Sequence, residues 1–271
     1  MLHNIIEIFS YTFMLRALIV GILISLCASL LGVILVLKKY AMIGDGLSHV
    51  AFGALSIATV LQIAPLYFSL PIVILVSFTL LQVNDSSKIH GDGAIAVLSS
   101  GALAIGVCML SISGANIDIN NYLFGSILAI QTSDVIVSVP LAIFVLSMYI
   151  VFYRELFAVT FDEVFAQAIG IKTNRYLCLL AVLTSITIVI GMRLMGSLLI
   201  SSFIIFPAIT SMLVFKNFFS VTICSIFISI FSFCVGMIIS YYIATPTGAT
   251  IVCTNLVLLI LFYIVSFIKK A

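Results

Sequence analysis

Long apolar runs separated by short polar stretches fill almost the whole chain. The runs predict nine candidate membrane-spanning helices, at 14–37, 41–62, 65–83, 94–113, 134–153, 176–192, 194–214, 218–243 and 248–268. Many of them approach the roughly 20 residues that a helix needs to cross hydrocarbon. None shows the strict alternation of a barrel strand. We therefore expect an all-α, polytopic transmembrane bundle with eight or nine spans, eight if one segment near Arg193 is re-entrant.

The composition agrees with this pattern. Of 271 residues, 64% are hydrophobic and only 7% are charged, whereas about 25% of the residues of a soluble domain are charged. No hydrophilic segment is long enough to form a separate catalytic domain. We expect one transmembrane domain over residues 1–271, which excludes a soluble enzyme.

The basic residues indicate how the chain is threaded. With the N-terminus outside and nine crossings, nine of the eleven basic residues face the cytoplasm, and only Arg16 and Arg193 do not. The nine are Lys38, Lys39, Lys88, Arg154, Lys172, Arg175, Lys216, Lys269 and Lys270. Because cytoplasmic loops carry an excess of Lys and Arg, this pattern predicts a cytoplasmic C-terminus.

Asp45 and His49 stand out because they lie inside the second apolar run. Residues four apart share one face of a helix, so the carboxylate and the imidazole can approach the same ligand. Ionisable groups within a membrane are costly and usually mark a pathway or a partner. Both side chains are ligands for divalent transition metals. The pair is therefore our candidate metal site.

A structural interpretation of the same pair stays open from the residues alone. Asp45 follows a glycine and could cap the N-terminus of the second helix, with His49 bonded back to it. Thiolate ligands are not expected, because the six cysteines are scattered singly and no CxxC spacing occurs.

The longest cytoplasmic connection, 154–175, predicts a short amphipathic helix. Thr160 is a candidate N-cap with Glu163 three residues later, the spacing of a capping box, and Gly170 ends the helix. Apolar side chains line one face, at Val164, Phe165, Ala168 and Ile169. Such a helix outside the membrane indicates a docking site for a cytoplasmic partner, or else a helix folded against its own bundle or the headgroups.

Two further patterns carry expectations. Small residues at helical spacing in the first span, Gly21, Ser25, Ala28, Ser29 and Gly32, predict close helix–helix contact. Residues 114–133 open polar and then stay apolar for too few residues to cross. That segment is either an interfacial or re-entrant helix on the outer face or a surface loop.

Four motifs together resemble the membrane permeases of bacterial ABC importers for zinc, manganese or iron, and look most like the zinc-uptake permeases. The motifs are residues 38–49 (KKYAMIGDGLSH), 122–129 (YLFGSILA), 161–170 (FDEVFAQAIG) and 196–208, which opens GSLLI and closes on Pro207-Ala208. The turn PTGATIV at 246–252 is similar to the last turn of the family. Their order and spacing make the resemblance specific.

The resemblance implies two permease copies, two cytoplasmic ABC ATPase subunits and an extracellular metal-binding protein, working in the bacterial cytoplasmic membrane. It implies that Asp45 and His49 coordinate the transported metal. In this chain Gly44 and Gly46 flank Asp45, which would allow close backbone approach to an ion. It also implies that the segment 160–170 is the coupling helix for the ATPase, through Phe161, Asp162, Glu163, Phe165, Ala168 and Gly170. The loop around His90 departs from the family, so His90 is not assigned to metal.

The expected function is therefore the transmembrane permease of an ATP-driven importer of a divalent metal, zinc on the resemblance, with manganese or ferrous iron as alternatives. No cofactor would be bound permanently, and lipid but no nucleic acid would be a partner. The chain has no G-x-x-x-x-G-K phosphate loop, so a separate subunit would hydrolyse ATP. Two rivals are a gradient-driven secondary transporter with Asp45 and His49 as a proton relay, and an intramembrane hydrolase using Ser48 or His49. The hydrolase fails on geometry, because adjacent residues point away from each other on a helix.

Overall fold

A computed structural model describes residues 12–86, 91–113, 124–125 and 132–270. We number its helices α1 to α11 in chain order. They are α1 Thr12–Leu37, α2 Ala41–Val60, α3 Pro65–Ser86, α4 Gly91–Ile112, α5 Thr132–Val151, α6 Tyr153–Phe161, α7 Glu163–Ala168, α8 Thr173–Met195, α9 Ser197–Met212, α10 Phe218–Ile243 and α11 Thr247–Lys270. The part of the chain described here is otherwise made of turns, so the all-α prediction is confirmed.

Each of the nine predicted spans corresponds to one helix. Seven of the described helices are long and apolar enough to cross a membrane, and α3 and α9 contribute two shorter apolar stretches. The boundary between the sixth and seventh spans is not at Arg193, which lies in the last turn of α8, but at Gly196. Gly196 has a φ of 87°, a conformation that glycine adopts without the steric cost of a side chain, and it lets the chain reverse between α8 and α9.

Helix α1 lies in the core of the bundle and uses its small residues as predicted. Ser229 in α10 donates a hydrogen bond to the carbonyl oxygen of Ser25 at 2.9 Å. A Cβ atom on Gly32 would lie 2.1 Å from the carbonyl oxygen of Ile204 in α9. Such contacts require backbones to approach closely, which small side chains permit. The expected close packing of the first span is confirmed.

Substituting Gly32 tests how much this contact matters. We expect Gly32→Ala to lower the apparent melting temperature of the permease in detergent, because the new methyl group meets backbone rather than a movable side chain. Overpacking of this kind costs about 1–3 kcal/mol. Gly101→Ala in α4 is the matched control, since nothing lies within 4 Å of its Cβ position. It gains about 1 kcal/mol of helix propensity, so equal melting temperatures for the two variants would contradict the prediction.

Two ion pairs lie at opposite ends of the bundle. Lys38, just after α1, bonds to Glu163 in α7, so the α1–α2 connection and the segment 153–172 share the end that the charges assign to the cytoplasm. At the other end, Arg193 bonds to Asp134 at the start of α5, with 3.0 Å between Nη2 and Oδ1. Arg193 is one of the two basic residues that do not face the cytoplasm in the predicted topology. Its ion pair with the carboxylate of Asp134 gives a physical reason for a positive charge at this end.

The cytoplasmic segment forms two short helices rather than one. Thr160 is inside α6, and its hydroxyl donates to the carbonyl oxygen of Leu156 at 2.5 Å, so the predicted cap at Thr160 is wrong. Asp162 caps α7 instead, since its Oδ1 accepts a hydrogen bond from the backbone N–H of Phe165 at 2.9 Å. Glu163 is then the first residue of α7. Gly170 follows the helix with a φ of 89°, which confirms the predicted end.

Candidate metal site

Helix α2 holds Asp45 and His49 on one face. The helix begins at Ala41 and is preceded by Tyr40, so Asp45 lies in the helix interior and does not cap it. The Nε2 atom of His49 lies 3.7 Å from Oδ2 of Asp45, one turn apart. The i, i+4 spacing thus brings the two side chains together, as the sequence predicts.

The distance between these two atoms suits a shared ion better than a direct bond. A hydrogen bond between nitrogen and oxygen spans about 2.7–3.2 Å. Two ligand bonds of about 2.1 Å at a tetrahedral angle place their donor atoms about 3.4 Å apart. The observed 3.7 Å is close to that value. An ion held between Oδ2 and Nε2 would need only a small side-chain adjustment.

The pair opens into a cavity of about 330 Å³. Its walls come from α2, α9, α11 and residue 124, and the lining side chains are Asp45, His49, Phe124, Ser197, Leu198, Ser201, Ser202, Ile205, Phe206 and Val252. Asp45 is 46% exposed and His49 is 24% exposed. An ion and several water molecules fit in this space, since one water occupies about 30 Å³ of liquid volume.

Serine hydroxyls from α9 add oxygen donors to the cavity. Ser201 donates its proton to the carbonyl oxygen of Ser197 at 2.9 Å, which leaves lone pairs free for a cation or its water. Ser202 is approached by the side-chain amide of the buried Asn255 in α11 at 3.3 Å. Imidazole, carboxylate and hydroxyl groups therefore share the cavity wall with apolar side chains.

Ser48 lies behind the pair rather than in the cavity wall. Its side chain is fully buried, donates to the carbonyl oxygen of Asp45 at 2.7 Å and lies 3.2 Å from the hydroxyl of Ser201. Since each hydroxyl donates within its own helix, this approach is a close packing contact between α2 and α9. The hydroxyl that the hydrolase hypothesis needs is thus buried in a helix–helix contact.

The contacts between α2 and α9 show how deep the site lies. Gly44 meets the side chain of Ile204 and Ser48 meets Ser201, so the two helices run antiparallel. Asp45 lies about 6 Å along α2 from its first residue. It nevertheless lies beside the first turns of α9, because α9 runs in the opposite direction. Because α9 has only 16 residues, its start lies within the bundle. The site occupies the overlap of the two helices.

The glycines beside Asp45 have a packing role. A Cβ atom on Gly44 would lie 3.0 Å from Cδ1 of Ile204, and one on Gly46 would lie 2.6 Å from Cγ2 of Ile95. The space that a side chain would occupy at each glycine is therefore filled by an isoleucine side chain. The two glycines allow α2 to approach α9 and α4, and the close approach of backbone to an ion at these glycines stays a prediction.

Reasoning from sequence missed the contribution of α9. Ser201 and Ser202 lie within the motif at 196–208, and no spacing pattern links them to a pair about 150 residues earlier. Among the described residues, no group of three or more His, Cys, Asp or Glu side chains could hold a metal ion. His90 and most of 114–133, including the polar residues Asn116 and Asp118 near the start of that segment, lie outside the described residues.

Helix α7 has two different faces. Ala166 is fully buried against Val159 and Leu177, whereas Val164 and Phe165 are 78% and 59% exposed. Phe161, Asp162, Ala168 and Gly170 are also exposed, and Glu163 turns inward to Lys38. The exposed apolar side chains of α7 face away from the bundle, as a docking site requires.

The chain is similar to known metal permeases over nearly its full length. The model of the ABC 3 transport family matches residues 10–270. The manganese import system permease protein ScaB of Streptococcus gordonii is 30% identical over 255 residues, which cover 94% of this chain and 92% of that protein. The high-affinity zinc uptake system membrane protein ZnuB of Haemophilus influenzae is 30% identical over 246 residues, or 90% of this chain and 94% of that protein.

A solved structure has the same fold. PsaBC from Streptococcus pneumoniae, in complex with Fab, matches with a TM-score of 0.88 and 26% identity, covering 97% of this chain and 95% of that chain. The arrangement of helices described above is therefore similar to that of the matched chain.

Proposed function

Because the chain belongs to the ABC 3 transport family and is a membrane permease of a metal ABC importer, we propose that it passes a manganese or zinc ion along a path that contains Asp45 and His49. The observation that carries this proposal is the pair itself, with Nε2 and Oδ2 3.7 Å apart at the wall of an open cavity. The chain is a multi-pass transport component of the bacterial cytoplasmic membrane.

The donor atoms of the cavity suit both metals. Imidazole is a good ligand for zinc, while carboxylate and water suit manganese. The expectation of zinc came from the resemblance, and relatives named for manganese import and for zinc uptake are equally identical to this chain. We retain both metals, with ferrous iron as a further candidate, and leave the choice to uptake measurements.

Two ligands from one chain hold an ion weakly, which suits transport. Zinc in structural sites takes four protein ligands, and an ion bound that firmly would leave slowly. Water and the hydroxyls of Ser201 and Ser202 can complete the shell. A second copy of the chain would add another Asp45 and His49, and the exposure of Asp45 supports a dimer in which the path runs between two copies.

Energy for transport would come from a cytoplasmic ATPase that docks on α7. The exposed Val164 and Phe165 supply the apolar contact, and the cap at Asp162 and the glycine at 170 fix both ends of the helix. A metal-binding protein on the outer face would deliver the ion. Binding of ATP would then alternate access to the cavity from the two sides.

Uptake measurements test the proposal directly. Cells carrying the permease, its ATPase and its binding protein are supplied with labelled manganese, with unlabelled zinc or ferrous iron as competitor, and then with labelled zinc. We expect uptake that stops when ATP is depleted but persists when the proton gradient is collapsed. Uptake that follows the gradient and ignores ATP would instead support the secondary transporter. The labelled metal that is itself taken up identifies the substrate, because competition alone follows the general order of metal affinities.

A further inference from the structure

A buried ion pair connects α7 to the loop between α1 and α2. Lys38 bonds through Nζ to Oε1 of Glu163, and the two residues are 125 positions apart in the chain. The side chain of Lys38 is only 5% exposed, although it lies at the predicted cytoplasmic end. A charge this buried needs its partner, since an unpaired buried charge costs about 3–5 kcal/mol. The pair therefore links the two elements through one buried charge, that of Lys38, and one partly exposed charge, that of Glu163, which is 31% exposed.

Lys38 lies in the rigid turn that ends α1. The N–H of Tyr40 bonds to the carbonyl oxygen of Leu35 and the N–H of Lys39 to that of Val36, and Lys39 has a φ of 63°. This is the Schellman arrangement that ends a helix. Tyr40 is buried and immediately precedes α2. A displacement of Lys38 is thus passed to the first turn of α2, and Asp45 follows in the next turn.

On the Glu163 side, the pair meets the helix with the exposed docking face. Glu163 is the first residue of α7, and the next residue along the chain, Val164, is the most exposed of its apolar side chains. The helix has only six residues, so it moves as one body. A push on Val164 and Phe165 therefore displaces Glu163 as well.

We propose that the Lys38–Glu163 pair is a positioning pair that transmits movement of α7 to the helix carrying Asp45 and His49. The inference rests on the proposed function, because it assigns the pair to the coupling of ATP hydrolysis to metal transport. The connection runs from the docking face through Glu163 and Lys38 to the turn at Tyr40, and from there along the backbone of the helix to Asp45. Neither residue touches the metal in this scheme.

The test uses the whole transporter reconstituted in vesicles, with Glu163→Gln, Lys38→Met and the double variant Lys38→Met/Glu163→Gln. We expect each variant to retain its ATPase subunit and to hydrolyse ATP, while metal imported per ATP falls about tenfold, within the range of coupling free energies. Lys39→Met is the matched control, because it removes an exposed lysine next to Lys38. That control should import metal normally.

The double variant separates transmission from stability. It leaves no unpaired buried charge, so its melting temperature should return towards that of the wild type. Its import per ATP should stay low, because the link is still broken. Recovery of import in the double variant would overturn the proposal and leave the pair a structural clamp. Lys38→Arg, which keeps the charge, should restore most of the import.

Hydrogen–deuterium exchange gives a readout that does not depend on transport. In the wild-type complex we expect ATP to change the exchange of both 163–168 and 41–49, and in Glu163→Gln only that of 163–168. An unchanged 41–49 in the wild type, or a change that persists in Glu163→Gln, would overturn the proposal. A wild type that shows the linked change but imports no manganese, zinc or ferrous iron would refute the proposed function and leave the link standing.

Discussion

Replacing His49 with alanine should reduce metal uptake at least about 100-fold, at equal abundance of the permease in the membrane. The loss follows from the geometry, because Asp45 alone would be left to attract an ion from water at the cavity wall. Changes in the groups that merely support a metal ligand already cost about 10- to 100-fold. Asp45→Asn should have a similar effect, since it keeps the shape of the side chain and removes its charge.

The measurement is uptake of labelled manganese and labelled zinc in cells carrying the complete transporter. His90→Ala is the matched control, because it makes the same substitution at a histidine that is not assigned to metal. This variant should import metal at the wild-type rate. His49 is partly exposed and lies at the cavity rather than in the tightly packed core, so His49→Ala should fold. Normal uptake by His49→Ala would place the metal path elsewhere and make Asp45 and His49 a structural pair.

Features that depend on neighbouring residues could be predicted from the sequence. The i, i+4 spacing of Asp45 and His49 fixes their shared face, since any helix places residues four apart on one side. The same local logic predicts the end of α7 at Gly170 and the close packing of α1 along Gly21, Ser25 and Gly32. These expectations are confirmed because the backbone geometry of a helix decides them.

Contacts between distant segments could not be predicted in the same way. Ser48 meets Ser201, 153 residues later, and Lys38 meets Glu163 across 125 residues. Serines are common in membrane helices as packing residues, so nothing marked Ser201 and Ser202 as neighbours of the pair. The walls of the cavity depend on how α2, α9 and α11 pack together. A single sequence does not specify that packing.

The position of the helix cap shows a local prediction overruled by packing. Thr160 and Asp162 are both good N-caps, and the acidic residue at 163 favoured Thr160. In the structure Phe161 packs on Phe157 and Phe218, with ring centroids 4.7 and 5.9 Å apart. These contacts keep α6 helical through Phe161, so the helix break falls two residues later. Glu163 is thereby released from a capping role and turns towards Lys38.

Placing a negative charge on the exposed face of α7 should detach the ATPase. In Phe165→Asp, and in Val164→Asp, a large apolar contact is replaced by a charge that the interface would have to desolvate. Buried interface anchors contribute about 2–4 kcal/mol, so the affinity should fall about 30- to 700-fold. Because both side chains are exposed, the permease itself should keep its stability.

Co-purification of the ATPase with a tagged permease measures this effect, with metal uptake as a second readout. Asn174→Asp is the control, since it adds the same charge to an exposed position of the nearby segment and should leave the complex intact. Ala166, by contrast, faces Val159 and Leu177, so a charge there would unfold α7 and test nothing about docking. A permease that carries Phe165→Asp and still retains its ATPase would show that the partner binds elsewhere. The exposed face of α7 would then have no role in displacing Lys38. Movement produced by ATP binding would have to reach Asp45 from another cytoplasmic surface.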